Sequence, residues 1–108
     1  MIKAYLQNSK NKLLIVGDEL LSNVVKHGYE EKGGPVTIEL TFDANAHVFC
    51  FTIIDQAKEF NQLDVNIIKD VNALTIGGYG ISIVKKIMDE YTYRYLDGKN
   101  ILVLKKKV

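Results

Sequence analysis

Residues 36–55 hold two apolar stretches of different pattern around a short polar turn, and this arrangement restricts the fold more than any other feature. Apolar and polar side chains alternate strictly over residues 36–42, which is the period of a β-strand with one buried face. Residues 47–55 are apolar on both faces, which favours a strand in the centre of a sheet. Because Asp and Asn within residues 43–46 favour a turn, the sequence predicts a β-hairpin.

Two helical patterns accompany this hairpin. Apolar residues recur at three- and four-residue steps over residues 13–24, and Asn8 and Ser9 can cap a helix there. This helix is expected to end near Gly28, since glycine suits the left-handed residue after a helix C-terminus. A second helix is expected to start after Gly78. Its predicted buried face consists of Ile81, Val84, Ile87, Met88 and Tyr91.

The remaining segments complete a predicted order of strand, helix, hairpin, loop, helix and hairpin. Residues 2–6 alternate weakly and are expected to form a strand, and residues 92–104 are expected to form the last hairpin. The pattern weakens over residues 56–77, where a loop is predicted. A short helix within that loop would use Ile67, Ile68, Val71 and Leu74. This order predicts an α+β protein, a two-layer α/β sandwich whose mixed or mostly antiparallel sheet carries helices on one face.

Composition excludes several classes of function. A chain of 108 residues suits a single domain, and a net charge of +1 with 25% charged residues does not suggest a nucleic-acid or membrane-surface binder. No segment has the roughly 20 apolar residues of a membrane span. Cys50 is the one cysteine, so it cannot form an internal disulfide, and its apolar neighbours predict a buried thiol. These features favour a cytoplasmic protein.

Glu19 and Asn23 are the first candidates for chemistry, because they lie one helical turn apart on the same face. A carboxylate there can orient or deprotonate a hydroxyl. An amide oxygen can bind a hard cation such as Mg²⁺, which prefers oxygen ligands and usually accompanies phosphates. The alternative is that both side chains lie at the border of the apolar stripe and form hydrogen bonds only with the backbone.

Asp55 and the glycines before the second helix are the other candidates. Asp55 ends the predicted central strand and needs a hydrogen-bond donor, which is either a nearby backbone amide or the exocyclic amine of a bound base. Gly77, Gly78 and Gly80 precede an apolar helix, whose N-terminus attracts phosphate and whose glycines let the backbone approach a ligand. The Gly-Lys-Ser/Thr of a P-loop is absent from this segment.

In their order and spacing, these features resemble the motifs of the GHKL ATPase superfamily, which includes gyrase, histidine kinases and MutL. The chain looks most like the anti-sigma-factor serine kinases in that superfamily. Residues 19–29 (ELLSNVVKHGY) resemble its first motif and residues 77–89 (GGYGISIVKKIMD) its third. Residues 55–60 (DQAKEF) take the place of the second motif, and residues 97–104 (DGKNILVL) fit the last hairpin.

The resemblance implies a role for each candidate. Glu19 would be the general base that activates the attacking hydroxyl, and Asn23 would hold Mg²⁺ between the phosphates. Asp55 would accept a hydrogen bond from the adenine amino group. The backbone at Gly78 and Gly80 would wrap the phosphates of ATP.

Further pocket positions follow from the same resemblance. It assigns His27 and Phe60 to the nucleotide pocket and residues 62–76 to a lid. Ala57 occupies a pocket position where the family usually has glycine. Val103 occupies a second pocket position, where the family often has threonine. The Ala57 methyl would fill space near the base, and Val103 would lack the hydroxyl and any water that it holds.

Relatives begin with a strand and a further helix before the helix that carries the first motif. A histidine kinase-like domain spanning residues 1–108 would therefore be shortened at its N-terminus. The exposed sheet edge or apolar patch left behind would be a homodimer or partner surface.

The resemblance leads to one favoured function and two alternatives. The favoured one is an ATP-binding regulatory serine kinase, whose substrate is an anti-anti-sigma-like protein and whose further target is a sigma factor. The first alternative is a degenerate binding module that recognises a protein partner with little or no ATP turnover. The second is an accessory domain of a histidine-kinase-like system, although no phospho-acceptor helix is evident.

Overall fold

A four-stranded antiparallel sheet carries the helices on one face, in a computed structural model that describes residues 2–30, 32–64 and 78–108. This arrangement confirms the predicted α+β sandwich. The elements are helix α1 (Ile2–Asn23), a π-helical turn (Val24–Gly28), strands β1 (Val36–Asp43) and β2 (Val48–Asp55), a 3-10 turn (Gln62–Asp64), helix α2 (Gly78–Ile87), and strands β3 (Glu90–Leu96) and β4 (Lys99–Lys107). The predicted short helix and most of the predicted lid lie outside the described residues.

The strands lie in the order β1-β2-β4-β3, and each neighbouring pair is antiparallel. β4 therefore enters between β2 and β3, and the prediction that residues 47–55 form a central strand is confirmed. In the register of β2 and β4, Asp55 pairs with Asn100 and Ile53 with Leu102. These four residues lie on the same face of the sheet.

The hydrophobic core lies between that face and the helices. Its buried members are Leu13, Val16, Leu20, Val24, Phe51, Ile53, Leu63, Ile81, Val84, Met88, Leu102 and Leu104. α1 passes close over β2, since a Cβ added at Gly17 would lie 3.6 Å from the ring of Phe51. Of the residues predicted for the buried face of α2, Ile87 is half-buried and Tyr91 is 37% exposed.

The predicted strand at residues 2–6 is wrong, because α1 is continuous from Ile2 to Asn23. Asn8 and Ser9 therefore lie inside the helix and not at its start. The alternation of residues 2–6 is short, and its Ala, Leu, Gln and Lys neighbours are strong helix formers. No helix in the described part of the chain is both long and apolar enough to span a membrane.

The predicted buried face of β1 is also wrong. Ile38, Leu40 and Phe42, which form the β1 apolar row, are 48%, 54% and 43% exposed. They point to the helical side of the sheet, but β1 is an edge strand that contributes no buried residue to the core, and only Val36 packs partly against it. Cys50 was predicted to be buried and is half-buried, since it faces the side that the helices do not cover.

Candidate functional site

Asp55 ends β2 with its side chain on the helical side of the sheet, and only 6% of its surface is exposed. Its Oδ1 accepts two hydrogen bonds, from Asn100 Nδ2 at 2.8 Å and from the backbone N–H of Ala57 at 3.0 Å. No donor among the described residues reaches Oδ2. One carboxylate oxygen is thus tied to the protein, while the other can accept from a ligand.

Asn100 organises the surroundings of Asp55 and is 5% exposed. Its Nδ2 also donates to the Lys58 carbonyl at 2.9 Å, while its Oδ1 accepts from the Phe60 N–H at 3.0 Å and from the Tyr93 hydroxyl at 2.6 Å. Burial raises the pKa of the Tyr93 phenol, which keeps this donor protonated. Asn100 therefore joins the end of β2, the loop after it and β3.

The sequence points to Val103 rather than to Asn100 at this place. Val103 lies between Leu102 and Leu104, which are both buried in the core, so it faces the opposite side of the sheet from Asp55. Val103 therefore does not line the site. Two-residue steps back from Leu104 reach Leu102 and then Asn100, and this alternation is the sequence signal that identifies Asn100.

Ala57 lies against the π-helical turn. A Cβ added at Gly28 would be 3.1 Å from the Ala57 Cβ, and Ala57 is 5% exposed. The Ala57 methyl thus packs on the backbone of Gly28 beneath the surface of the site. The prediction that this methyl fills space near the base stays a prediction.

Tyr29 braces the loop that follows the π-helical turn. Its backbone N–H donates to the Val24 carbonyl at 2.8 Å and closes the wide turn. Its hydroxyl donates to the Pro35 carbonyl at 2.6 Å and accepts from the Gln56 N–H at 2.8 Å. The end of the first sequence motif is therefore fixed to the start of the second.

An exposed ion pair joins the residue after the first motif to the second motif. Lys58 Nζ lies 2.5 Å from Glu30 Oε1. The hydrogen bond and the charge of Lys58 hold the pKa of Glu30 below its ordinary value. Because both side chains face solvent, this pair adds little to stability.

His27 and Phe60 lie side by side at the rim, with their ring centroids 6.2 Å apart and an angle of 60° between the rings. His27 is exposed and Phe60 is half-buried. The structure thus brings these two predicted pocket residues together, next to the loop that Asn100 holds. Asp55, Ala57, Phe60 and Asn100 are called the strand end of the site.

Glu19 and Asn23 lie one turn apart on α1, as predicted. Asn23 Nδ2 lies 3.4 Å from Glu19 Oε1, and it also donates to Gln62 Oε1 at 3.0 Å. Gln62 Nε2 in turn donates to the Leu20 carbonyl at 3.4 Å. The sequence placed Gln62 only at the start of the predicted lid and did not predict its contact with Asn23, since no local pattern distinguishes it from an ordinary loop residue.

Gly80 faces Glu19 across the two helices. A Cβ added at Gly80 would overlap the Glu19 carboxyl group, so a larger residue at this position would displace that carboxyl group from its observed place. α2 begins at Gly78, and a helix N-terminus carries partial positive charge that favours anions. Glu19, Asn23, Gln62 and Gly80 are called the helix end of the site.

The helix end has a donor set that fits a hard cation shared with phosphates. In the described ranges, no three His, Cys, Asp or Glu side chains are grouped to hold a metal by themselves. Asn23 Oδ1, however, receives no hydrogen bond from a described donor. One amide oxygen suits Mg²⁺, which keeps several waters and takes further ligands from phosphate oxygens.

The comparisons with known proteins agree with this geometry. The family model of the histidine kinase-like ATPase domain matches residues 7–106, a range that contains both ends of the site. No curated protein matches the chain. The match supports the predicted GHKL superfamily, and membership implies ATP binding, for which Mg²⁺ is typical. The chain belongs to the histidine kinase-like ATPase domain family.

Proposed function

We propose that the protein binds ATP and transfers its γ-phosphate to a serine or threonine of a partner protein. The observation that carries this proposal is that the strand end and the helix end offer different and complementary groups. The strand end offers a carboxylate oxygen without a described donor, and the helix end brings Glu19 beside the start of α2. Base recognition and phosphate binding need these two kinds of group.

At the strand end, Asp55 accepts a hydrogen bond from the adenine amino group through Oδ2. The Asn100 and Ala57 donors engage Oδ1, so the carboxylate is already oriented before the nucleotide arrives. Preorganised groups of this kind lose little freedom on binding. His27 and Phe60 border the base at the rim.

At the helix end, Glu19 takes the proton from the attacking hydroxyl. The hydroxyl oxygen bonds to the γ-phosphorus, the bond from that phosphorus to its bridging oxygen breaks, and ADP leaves with the bonding electrons. The backbone at Gly78 and Gly80 faces the phosphates. Asn23 Oδ1 would hold Mg²⁺, which neutralises charge on the phosphate oxygens when bound.

The proposed substrate is an anti-anti-sigma-like protein, with a sigma factor as a further partner and a homodimer as the assembly. The β1 apolar row supports a protein partner, because contiguous exposed apolar side chains on an edge strand are typical of interaction surfaces.

Calorimetry with ATP and Mg²⁺ tests the nucleotide part of this proposal. Wild type is expected to bind, Asp55→Asn to weaken binding by about tenfold or more, and the exposed control Asp18→Asn to bind like wild type. The fold of each variant is checked by thermal unfolding. No heat and no thermal shift with millimolar ATP would overturn the proposal.

The second candidate function is a binding module with little or no ATP turnover. The uncovered β1 apolar row favours it, since this surface serves a partner whether or not phosphate is transferred. Incubation with γ-labelled ATP and a candidate partner separates the two functions. Nucleotide binding without labelled partner, or without slow hydrolysis when the partner is absent, supports the binding module.

A further inference from the structure

Gln62 is buried at the helix end although it lies far from Asn23 in sequence. It begins the 3-10 turn Gln62–Asp64 and is 5% exposed. Its Oε1 accepts from Asn23 Nδ2 at 3.0 Å, and its Nε2 donates to the Leu20 carbonyl at 3.4 Å. The Gln62 amide thus connects the loop after β2 to two positions on α1.

The Asn23 amide has two N–H groups, and both have acceptors. One faces Glu19 Oε1 at 3.4 Å and the other faces Gln62 Oε1 at 3.0 Å. If the amide turned by half a rotation, Asn23 Oδ1 would meet these two oxygens and lose both hydrogen bonds. The observed orientation therefore leaves Oδ1 pointing away from both neighbours.

Glu19 and Gln62 differ as anchors for this amide. Glu19 is half-buried, and in the proposed reaction it also contacts the attacking hydroxyl. Gln62 is neutral and buried, its bond to Asn23 is shorter, and its other end is held by backbone. Gln62 can therefore hold Asn23 throughout a reaction cycle in which Glu19 changes its partners.

We infer that Gln62 is a positioning residue that holds the Asn23 amide with Oδ1 toward the cation and phosphates. This inference rests on the proposed nucleotide function. Residues that orient a metal ligand from behind commonly change metal affinity strongly when they are replaced. Gln62 acts through Asn23 and does not itself touch the nucleotide.

The measurement is the ratio of ATP dissociation constants in EDTA and in Mg²⁺, obtained by calorimetry. In Gln62→Met, which keeps the length of the side chain but loses its hydrogen bonds, this ratio is expected to fall about tenfold. ATP affinity in EDTA is expected to stay near that of wild type, because the strand end is untouched. Gln56→Met, at an exposed glutamine, is the matched control and should keep the wild-type ratio.

A purely structural role for Gln62 gives a different result. Gln62→Glu keeps an acceptor for Asn23 but cannot donate to the Leu20 carbonyl. It should retain most of the Mg²⁺ effect if Gln62 works through Asn23, and should behave like Gln62→Met if the bond to Leu20 is what matters. Because both variants are compared by thermal unfolding, loss of the fold in one leaves the other to decide.

The variant Asn23→Ala completes the test as a second background for the Gln62 substitution. In that background Gln62→Met should have no further effect on the Mg²⁺ ratio, since the amide to be oriented is gone. An undiminished ratio in Gln62→Met, or an equal effect with and without Asn23, overturns the inference alone. If wild type itself gains nothing from Mg²⁺, the proposed Mg²⁺-ATP site fails as well.

Discussion

At the strand end of the site, Asp55 and Asn100 lie opposite each other on two paired strands. At the helix end, Glu19 and Asn23 of α1 instead contact Gln62, which belongs to a separate loop segment. Asn100 donates to a side chain and to backbone, and accepts from a backbone N–H and from the Tyr93 hydroxyl. Among the described residues, the helix end has fewer and longer hydrogen bonds, two of them at 3.4 Å.

This difference matches what each end has to do. A base keeps one shape throughout a phosphoryl transfer, so a rigid receptor serves it well. The phosphates change charge and geometry during the reaction, so the groups that contact them have to exchange partners. The comparison predicts that substitutions at the strand end change stability and affinity, while those at the helix end change rate and metal dependence.

The largest expected effect is on rate at the helix end. Replacing Glu19→Gln removes the proposed base while keeping the shape of the side chain beside Gly80. Phosphate transfer is expected to fall roughly 10²–10⁴-fold, the usual scale for a general base, with ATP affinity nearly unchanged. Transfer of labelled phosphate is the measurement, and Asp18→Asn on the same helix is the control. Equal activity in wild type and Glu19→Gln would show that this carboxylate is only structural.

The next largest effect is on stability at the strand end. Asn100→Ala leaves Asp55 Oδ1 with one donor fewer and removes the acceptor of Phe60 and Tyr93, so the free energy of unfolding should fall by about 3 kcal/mol. Asn23→Ala is expected to cost about 1 kcal/mol, because fewer buried groups lose a partner. Urea denaturation of both variants measures the difference. Equal costs would mean that the two ends are equally rigid.

A smaller effect is expected at the border of the strand end. Ala57→Gly removes a methyl that packs on Gly28, and the unfolding free energy should fall by about 1 kcal/mol. ATP affinity should change less than roughly threefold, since the methyl lies beneath the site and not in it. The two quantities come from denaturation and calorimetry. A large gain in affinity would instead place the methyl against the base.

The smallest expected effect is on alkaline stability. Burial raises the pKa of Tyr93 above its unfolded value of 10.0, so its contribution to stability is complete below that pH. It is lost as the pH rises through the folded pKa, where the hydroxyl can no longer donate to Asn100. Comparing unfolding of wild type and Tyr93→Phe from pH 8 to pH 11 isolates this part of the curve. Parallel curves would show that Tyr93 does not contribute.

Local patterns predicted much of this molecule. The hairpins, the central position of β2, the start of α2 and the neighbouring positions of Glu19 and Asn23 all follow from periodicity and turn residues. The interpretation of residues 2–6 failed because a five-residue alternation cannot outweigh strong helix formers.

The remaining errors concern which elements pack over a given side chain, and this depends on residues far away in sequence. The alternation in β1 shows which of its sides is apolar, but not that the helices pack over other strands. The alternation along β4 puts Val103 and Asn100 on opposite faces, but only the register against β2 shows that Asn100 lies directly opposite Asp55. Gln62 is buried by contact with α1, a partner 39 positions earlier in the chain.

The π-helical turn at Val24–Gly28 has a consequence for how insertions and deletions act on this chain. A hydrogen bond from the Tyr29 N–H to the Val24 carbonyl encloses one more residue than an α-helical turn does. Deleting Val25 would restore the regular spacing and leave later positions nearly in place, whereas one further inserted residue would rotate every later position by about 100° around the helix axis. After such an insertion, His27 would leave Phe60, and the Tyr29 hydroxyl would leave Gln56. The spacing between Asn23 and Tyr29 is therefore as much a part of the site as the side chains that it separates.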